Sequence, residues 1–486
     1  MAPRLIVMIG IAPINVLLNN MFIGAFFVPI NQTTMERILI KDLSEHVEKE
    51  VTINGLVDVA RDQGKMAFFD FRDRTGKVQG VVFGKPEVLE IAKELRPESS
   101  VAITGIVNKR PEKMVKEGAQ NGDIELEITA IEILNMSEVL PFDLDTDLNQ
   151  GTMLDFRPLT IKRGRERAIF KVQSEIVRAY RDYLTSDGFT EFQAPKLIGE
   201  DAEGTGEVFK TDYFKGQTAY FATSPQLYKQ IMVGAFERVF TVGNVFRAEK
   251  HATTRHLNEY TSIDAEFGFI QDHLDVMRVE TALLKYIVAH LKENCAIEFE
   301  SLGATLPLLP ETDIFPHMKL REAQELIKEK TGADKTREPD LEPEDERWLC
   351  EYAKENLNSD FIFITHYPVS KRPFYTYEDE EDPGFTKSFD LLYRGVEITT
   401  GGQRVHSYSK LVEQAQAKGL DPENFSFYIQ AFKFGIPPHG GWGMGLERLT
   451  QKFLGLASVK EAALFPRDIN RIDTLLSKEE PAQDED

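Results

Sequence analysis

Only two cysteines, Cys295 and Cys350, stand in 486 residues. That excludes a disulfide scaffold or a cysteine-built zinc site and fits a reducing compartment. The two commonest nucleotide-binding loops are missing too, since neither G-x-x-x-x-G-K-[ST] nor G-x-G-x-x-G occurs. Positive charge is the minority, 57 Lys and Arg against 79 Asp and Glu, for a net charge of −22. A generally basic nucleic-acid coat is thereby excluded, though a local positive groove is not, because steering depends on where charge sits. A clean membrane span is also lacking. The stretch from Leu5 to Ile30 is apolar but broken by Pro13, Asn15, Asn19, Asn20 and Pro29, whereas a span needs about 20 mostly apolar residues. Arg4 is its only basic residue and no small-residue cleavage site follows, which argues against a signal peptide. Residues 1–34 are expected to lie outside the fold, with Met35 the effective start and no membrane contact.

A hydrophobic content of 42% and a charged content of 28% describe an ordinary globular chain, and the length suggests two to three domains. Short alternating strands are expected at Glu50–Val57, Ala67–Asp73, Val78–Phe83, Ser100–Val107 and Ile124–Ile133. Five such strands in so short a stretch predict a small closed barrel, and an oligonucleotide-binding barrel is the commonest of these. The spacing predicts a helix from Arg165 to Ser186, stopped by Asp187-Gly188. Strands follow at Tyr220–Thr223, Arg238–Val242 and Thr261–Phe269, a helix near His273–Lys292, and a variable charged stretch from about Thr312 to Asn358. Further on, strands at Phe361–His366 and Phe389–Thr400 alternate with helices at Leu411–Lys418 and Phe425–Phe434. Few clean βαβ repeats occur, so the fold class is α+β with an antiparallel core. The expected division is a leader (1–34), a barrel (35–138), a hinge (139–163), a catalytic domain (164–475) and an acidic tail (476–486).

Three segments carry chemistry. Gly188-Phe189-Thr190-Glu191-Phe192-Gln193-Ala194-Pro195 follows the long helix. Phe246-Arg247-Ala248-Glu249 and Arg255-His256-Leu257-Asn258-Glu259 flank a polar loop, where guanidinium forks could clamp phosphate. Gly441-Trp442-Gly443-Met444-Gly445-Leu446-Glu447-Arg448 would let a ligand approach the backbone closely. Each alone reads more readily as packing or a surface pair. Together and in this order they resemble motifs 1, 2 and 3 of the class II aminoacyl-tRNA synthetases. Ser224-Pro225-Gln226-Leu227-Tyr228-Lys229-Gln230, Gly401-Gly402-Gln403-Arg404-Val405-His406 and Pro437-Pro438-His439-Gly440-Gly441 resemble the aspartyl enzymes of the archaeal and eukaryotic type. The likeness runs from Met35 to about Arg471.

The resemblance implies an oligonucleotide-binding anticodon barrel joined to a catalytic domain with an antiparallel sheet flanked by helices. It implies an aspartate–tRNA ligase of the cytoplasm, using ATP and Mg²⁺. By similarity, Arg247 would hold the α-phosphate and the substrate carboxylate, and Glu249 the adenine amino group. Leu257 and Arg448 would sandwich the purine against the close backbone at Gly445, and Arg255, His256 and Arg448 would neutralise the outer phosphates. Glu397, the Thr400 hydroxyl and Asp390 match the family's magnesium ligands. Lys229 and Arg404, with His439 beside them, would bind the substrate side-chain carboxylate, two fixed cations that reject the neutral amide of asparagine. Glu203, Ser224 and Gln226 would take the α-ammonium group, although the loop Ala202–Glu207 departs from the family's usual order at Thr205-Gly206.

In the barrel, Phe68 and Gln79 stand where the family stacks and bonds the central anticodon base, and Arg61 would add a contact. Leu56 occupies a position where many aspartate-only enzymes carry tryptophan, with Asp58 also unusual there. Relaxed reading of the third anticodon base would extend charging from tRNA(Asp) to tRNA(Asn) and couple the enzyme to a tRNA amidotransferase. Motif 1 implies a homodimer with Pro195 near the contact. Rivals are an asparaginyl enzyme, a tRNA-independent amide ligase and a catalytically dead binding protein. A lysyl enzyme fits poorly, because it would want acids where Lys229 and Arg404 stand.

Overall fold

Alternation of apolar and polar residues shapes the first part of the chain. In the computed structural model, which describes residues 37–200, 208–251 and 253–476, β1 (Glu50–Asp62), β2 (Met66–Arg72) and β3 (Lys77–Phe83) form a meander. A helix α1 (Pro86–Glu94) follows, then β4 (Ser100–Lys109) and β5 (Ile124–Asn135). They close into a barrel in the order β1-β2-β3-β5-β4, as the five expected strands required. Ile53, Val57, Phe69, Phe71, Ile103, Leu126 and Ile128 point inward, each worth about 1.5–3 kcal/mol when fully buried. A bulge between Val57 and Val59 lifts Asp58 out of register with β2.

The chain forms two compact units that meet in sequence at Asp143 and Leu144, and each is described by itself. The second begins with two short helices, α2 (Gln150–Asp155) and α3 (Arg157–Thr160), within the stretch expected as a hinge. Arg157 is buried and donates from Nε and Nη2 to the carbonyls of Leu464 (2.6 Å) and Ala463 (2.7 Å). The long helix α4 (Gly164–Ser186) ends where Gly188 takes a φ of +81°. Short strands β6 (Thr190–Glu191), β7 (Leu197–Ile198), β8 (Lys210–Tyr213) and β9 (Gln217–Phe221) precede α5 (Gln226–Phe236). Two long strands follow, β10 (Arg238–Phe246) and β11 (Glu259–Gly268), then α6 (His273–Asn294) and α7 (Ala296–Ser301).

The charged stretch after Thr312 is more ordered than its composition suggests, holding β12 (His317–Lys319), α8 (Leu320–Thr331) and α9 (Pro343–Leu357). After β13 (Phe361–Thr365), the strand expected over Phe389–Thr400 is two strands, β14 (Ser388–Tyr393) and β15 (Val396–Arg404). Arg394 and Gly395, at φ +45° and +80°, turn the chain between them. Helices α10 (Tyr408–Ala417) and α11 (Ser426–Lys433), strand β16 (His439–Gly445) and helix α12 (Leu446–Leu454) complete the unit.

Eight strands form one sheet, β12-β13-β14-β15-β16-β11-β10-β6, antiparallel except at its two ends. One face packs on α4 and α6: Ile176, Tyr180, Leu283 and Ile287 meet Ile263, Ala265, Trp442 and Met444. Period-two alternation therefore turns Ser262, Asp264 and Glu266 of β11, and Gly441, Gly443 and Gly445 of β16, to the other face. That face carries the site. The expected leader, residue Glu203 and tail residues 477–486 lie outside the described residues. Among the described residues, no helix is long and apolar enough to cross a membrane.

Candidate active site

The glycines of β16 open the floor of a cavity of about 400 Å³. A β-carbon on Gly443 would come within 3.0 Å of Asp264 Oδ2, and one on Gly441 within 2.0 Å of the Ala265 carbonyl. Side chains there would displace the acids of the neighbouring strand, which is the steric reason for the alternating glycines. The cavity gathers residues expected from sequence for both substrates: Ser224, Gln226, Lys229, Arg247, Glu249, Arg255, His256, Leu257, Glu397, Thr400, Arg404, Gly445 and Arg448.

One end is made of buried charge. Lys229, from α5, is 1% exposed; its Nζ donates to Asp264 Oδ2 (2.8 Å) and to the Trp442 carbonyl (2.8 Å) and lies 3.3 Å from Glu266 Oε2. Arg404, at the end of β15, donates from Nε to Glu266 Oε1 (2.9 Å) and from Nη2 to the Gly441 carbonyl (3.0 Å). Burial opposes ionisation of Glu266, but Arg404 and Lys229 outweigh it and hold the carboxyl below its ordinary range. The sequence pictured two cations awaiting a substrate carboxylate, yet each already holds a protein carboxylate. A cation buried without a partner would cost too much.

His439 stands behind this cluster rather than in the cavity wall. Its Nδ1–H donates to the Pro437 carbonyl (2.8 Å) and its Nε2 accepts from the Gln230 amide (2.8 Å), whose Oε1 accepts from Tyr428. Burial pushes the His439 pKa down to about 4, so the ring is neutral.

The other end is built on loops and a helix start. Arg247 leaves β10 with its N–H bonded to the Asn258 carbonyl (2.9 Å), closing the base of the polar loop, and its guanidinium lies 5.7 Å from the Tyr260 ring centre. His256 Nδ1 shares a hydrogen bond with the Thr253 hydroxyl (2.6 Å). Leu257 is buried against Val459 and Ala463. Arg448, in the first turn of α12, donates to the Glu397 carbonyl (2.8 Å).

Between the two ends lie the acids. Thr400 donates to Glu397 Oε1 (2.8 Å), and Asp390, opposite Thr400 in register, accepts from Arg372 Nη2 (2.8 Å). Burial and the nearby Glu397 push the Asp390 pKa up to about 6 despite Arg372, and burial with Glu397 pushes Glu346 on α9 up to about 7. Such mutual repulsion is relieved by a divalent cation. Among the described residues, no group of three or more histidine, cysteine or acidic side chains could hold a metal. The Glu397 carboxylate and the Thr400 hydroxyl offer oxygen donors of the kind a hard divalent cation takes.

In the barrel, cross-strand register puts Arg61, Phe68, Asp70 and Gln79 on one outer face, while Phe69 and Phe71 fill the core. Arg61 Nη2 donates to Asp70 (2.9 Å) and Lys116 Nζ to Gln79 Oε1 (3.2 Å). Asp58 is bound by Arg72 Nε (2.9 Å) and by Lys77, so its carboxylate is spent within the barrel.

Sequence reasoning missed Asp264, Glu266, Arg372 and Glu346. The two acids of β11 had one legible signal: they alternate, two residues apart, with the apolar Ile263, Ala265 and Phe267 of the same strand.

Residues 149–469 match the family described as tRNA synthetases class II (D, K and N), and residues 51–134 the OB-fold nucleic acid binding domain. The aspartate–tRNA(Asp/Asn) ligase of Thermus thermophilus is 45% identical over 90% of this chain and 99% of its own. The aspartate–tRNA(Asp) ligase of Thermoplasma acidophilum is 40% identical over 90% of this chain and 100% of its own. Among solved structures, asparaginyl-tRNA synthetase from Pyrococcus horikoshii with asparaginyl-adenylate superposes with a TM-score of 0.82 at 32% identity, covering 90% and 100% of the two chains. Aspartyl tRNA synthetase from Entamoeba histolytica gives 0.80 at 30% identity, covering 91% and 94%. A family match over residues 149–469 and relatives 40–45% identical along nearly their whole length show that the chain belongs to the class II tRNA synthetases of the D, K and N group.

Proposed function

We propose that the protein is an aspartate–tRNA ligase, which activates L-aspartate with ATP and transfers it to the 3′ end of tRNA(Asp). The observation that carries this is the buried Lys229–Asp264–Glu266–Arg404 cluster at the end of the cavity. Lysine and arginine offer only donors. The aspartate side chain presents acceptors to both, whereas the asparagine amide turns a donor toward one of them.

Activation is an attack by an aspartate α-carboxylate oxygen on the α-phosphorus, with the bond to the bridging oxygen breaking and pyrophosphate leaving. Such a reaction needs positioning and charge stabilisation more than an acid or a base. Arg247 stabilises the charge that grows on the α-phosphoryl oxygens. Arg255, His256 and Arg448 hold the departing pyrophosphate, and Leu257 with Arg448 flank the purine whose amino group Glu249 receives. Ser224 and Gln226 face the α-ammonium group, a role the resemblance also gives to Glu203. Glu397 and the Thr400 hydroxyl, with Asp390 behind them, would hold Mg²⁺, which would supply positive charge against the phosphates. In the second step the terminal ribose hydroxyl attacks the activated carbonyl and AMP leaves.

The barrel reads the anticodon, with Phe68 stacking on an unpaired base and Arg61 and Gln79 bonding beside it. Leu56 leaves room at the third base, and Asp58 is already engaged by Arg72 and Lys77, so tRNA(Asn) is a second substrate that a tRNA amidotransferase would complete. The enzyme is a cytoplasmic homodimer: two buried free cysteines suit a reducing compartment, and the motif 1 resemblance implies a two-fold contact near Pro195. Charging purified tRNA(Asp) and tRNA(Asn) with labelled aspartate tests the reading. Aspartate on both is expected. Label on tRNA(Asp) alone removes the relaxed anticodon reading, and label on neither removes the ligase.

A further inference from the structure

Arg255 is held by a helix that the sequence left unassigned. The segment after Thr312 has a small core of its own, in which Leu320, Ala323 and Ile327 of α8 meet Leu349, Cys350 and Ala353 of α9. Helix α9 is fitted to the turn between β14 and β15, because a β-carbon on Gly395 would stand 2.8 Å from Arg347 Cγ. At this seam Glu346 Oε2 accepts from Arg255 Nη1 at 3.3 Å, and the Gly395 carbonyl accepts from Arg255 Nη2 at 3.2 Å. The same guanidinium lines the cavity, with Glu397 and Arg448 also in its wall. Three elements far apart in sequence therefore converge on one arginine.

We propose that Glu346 is a positioning residue for nucleotide binding, bracing Arg255 so that its guanidinium meets the outer phosphates of ATP already oriented. This rests on reading the cavity as an ATP site. A long arginine side chain on a loop loses rotamer freedom when it binds, and a brace in the free protein removes part of that loss in advance. Both bracing bonds are longer than the 2.7–2.9 Å typical of charge-assisted pairs. The brace takes only two of the five guanidinium N–H donors, so the others can meet phosphate while Arg255 stays held.

ATP–pyrophosphate exchange on the full chain tests this with wild type, Glu346→Gln, Arg255→Ala and the double variant. Glu346→Gln is expected to raise KM for ATP about two- to fivefold, the worth of one partly exposed charged contact, with KM for aspartate unchanged. In the Arg255→Ala background the same change should have no further effect, since contacting residues couple in a double-mutant cycle. An undiminished effect in that background, or a KM for ATP that stays level or falls in the single variant, overturns the proposal. Should Glu346→Gln fold poorly, Glu346→Asp keeps the charge but draws the carboxylate back out of reach of Arg255. A raised KM for ATP there supports the brace, and a normal one overturns it. A wild type that supports no exchange with any amino acid removes the ATP reading and this proposal with it, whereas the outcomes above remove the proposal alone.

Discussion

The two ends of the cavity hold their charges by opposite means. At the amino-acid end, Lys229, Asp264, Glu266 and Arg404 are buried on strands and a helix and satisfied by one another before any substrate arrives. At the nucleotide end, Arg247, Arg255 and His256 sit on a polar loop with partial exposure, and Arg448 opens a helix. Burial fixes geometry at the price of desolvation, so the first end suits telling one side chain from another. Exposure leaves the second end adaptable, and the triphosphate completes its order. On the proposed reading, one cavity combines a rigid selector with a ligand-ordered reaction centre.

Breaking the rigid end should do the most damage. Glu266→Ala is expected to lower stability by about 3–5 kcal/mol, since it leaves buried cations under-paired, and to abolish aspartate-dependent exchange; denaturant unfolding and exchange read the two effects. The nucleotide end should separate them. Arg448→Ala is expected to lower kcat/KM for ATP about 10²- to 10³-fold while unfolding stays within about 0.5 kcal/mol of wild type. A comparable stability loss in both variants would erase the contrast.

The barrel gives a third behaviour. Phe68→Ala should raise KM for tRNA about tenfold, the worth of one stacked base, and leave ATP–pyrophosphate exchange untouched. The smallest effect sharpens what burial does to a charge without a cation. Glu280 of α6 is fully buried, and desolvation pushes its pKa up to about 8. The folded protein keeps that proton while the unfolded chain releases it near 4.5, so its contribution to stability falls as pH rises between those values. Glu280→Gln should flatten that slope and raise the thermal midpoint at pH 8 by about 2–4 °C.

The barrel was legible because its strands alternate strictly and their turns carry recognisable residues. Much of the cavity was legible through the three motifs, whose glycines and arginines are spaced distinctively. Asp264 and Glu266 were not, because acids in a strand read as its exposed face, and only the neighbouring Gly441 and Gly443 reveal that this face is a cavity wall. Helices α8 and α9 were hidden by their charge, since a narrow buried stripe of Leu320, Ala323, Ile327, Leu349 and Ala353 suffices to dock them. The turn at Arg394-Gly395 was hidden inside a continuous β-like run. Glu346 could not be found without both of these elements.

Aspartate against asparagine in ATP–pyrophosphate exchange tests the rigid selector most directly. The pre-paired cluster predicts exchange with aspartate and a kcat/KM for asparagine lower by about 10³-fold or more, the discrimination available to a site whose buried polar groups are left mismatched. Comparable exchange with asparagine would contradict it, because the lysine and arginine would then not be choosing between a carboxylate and an amide.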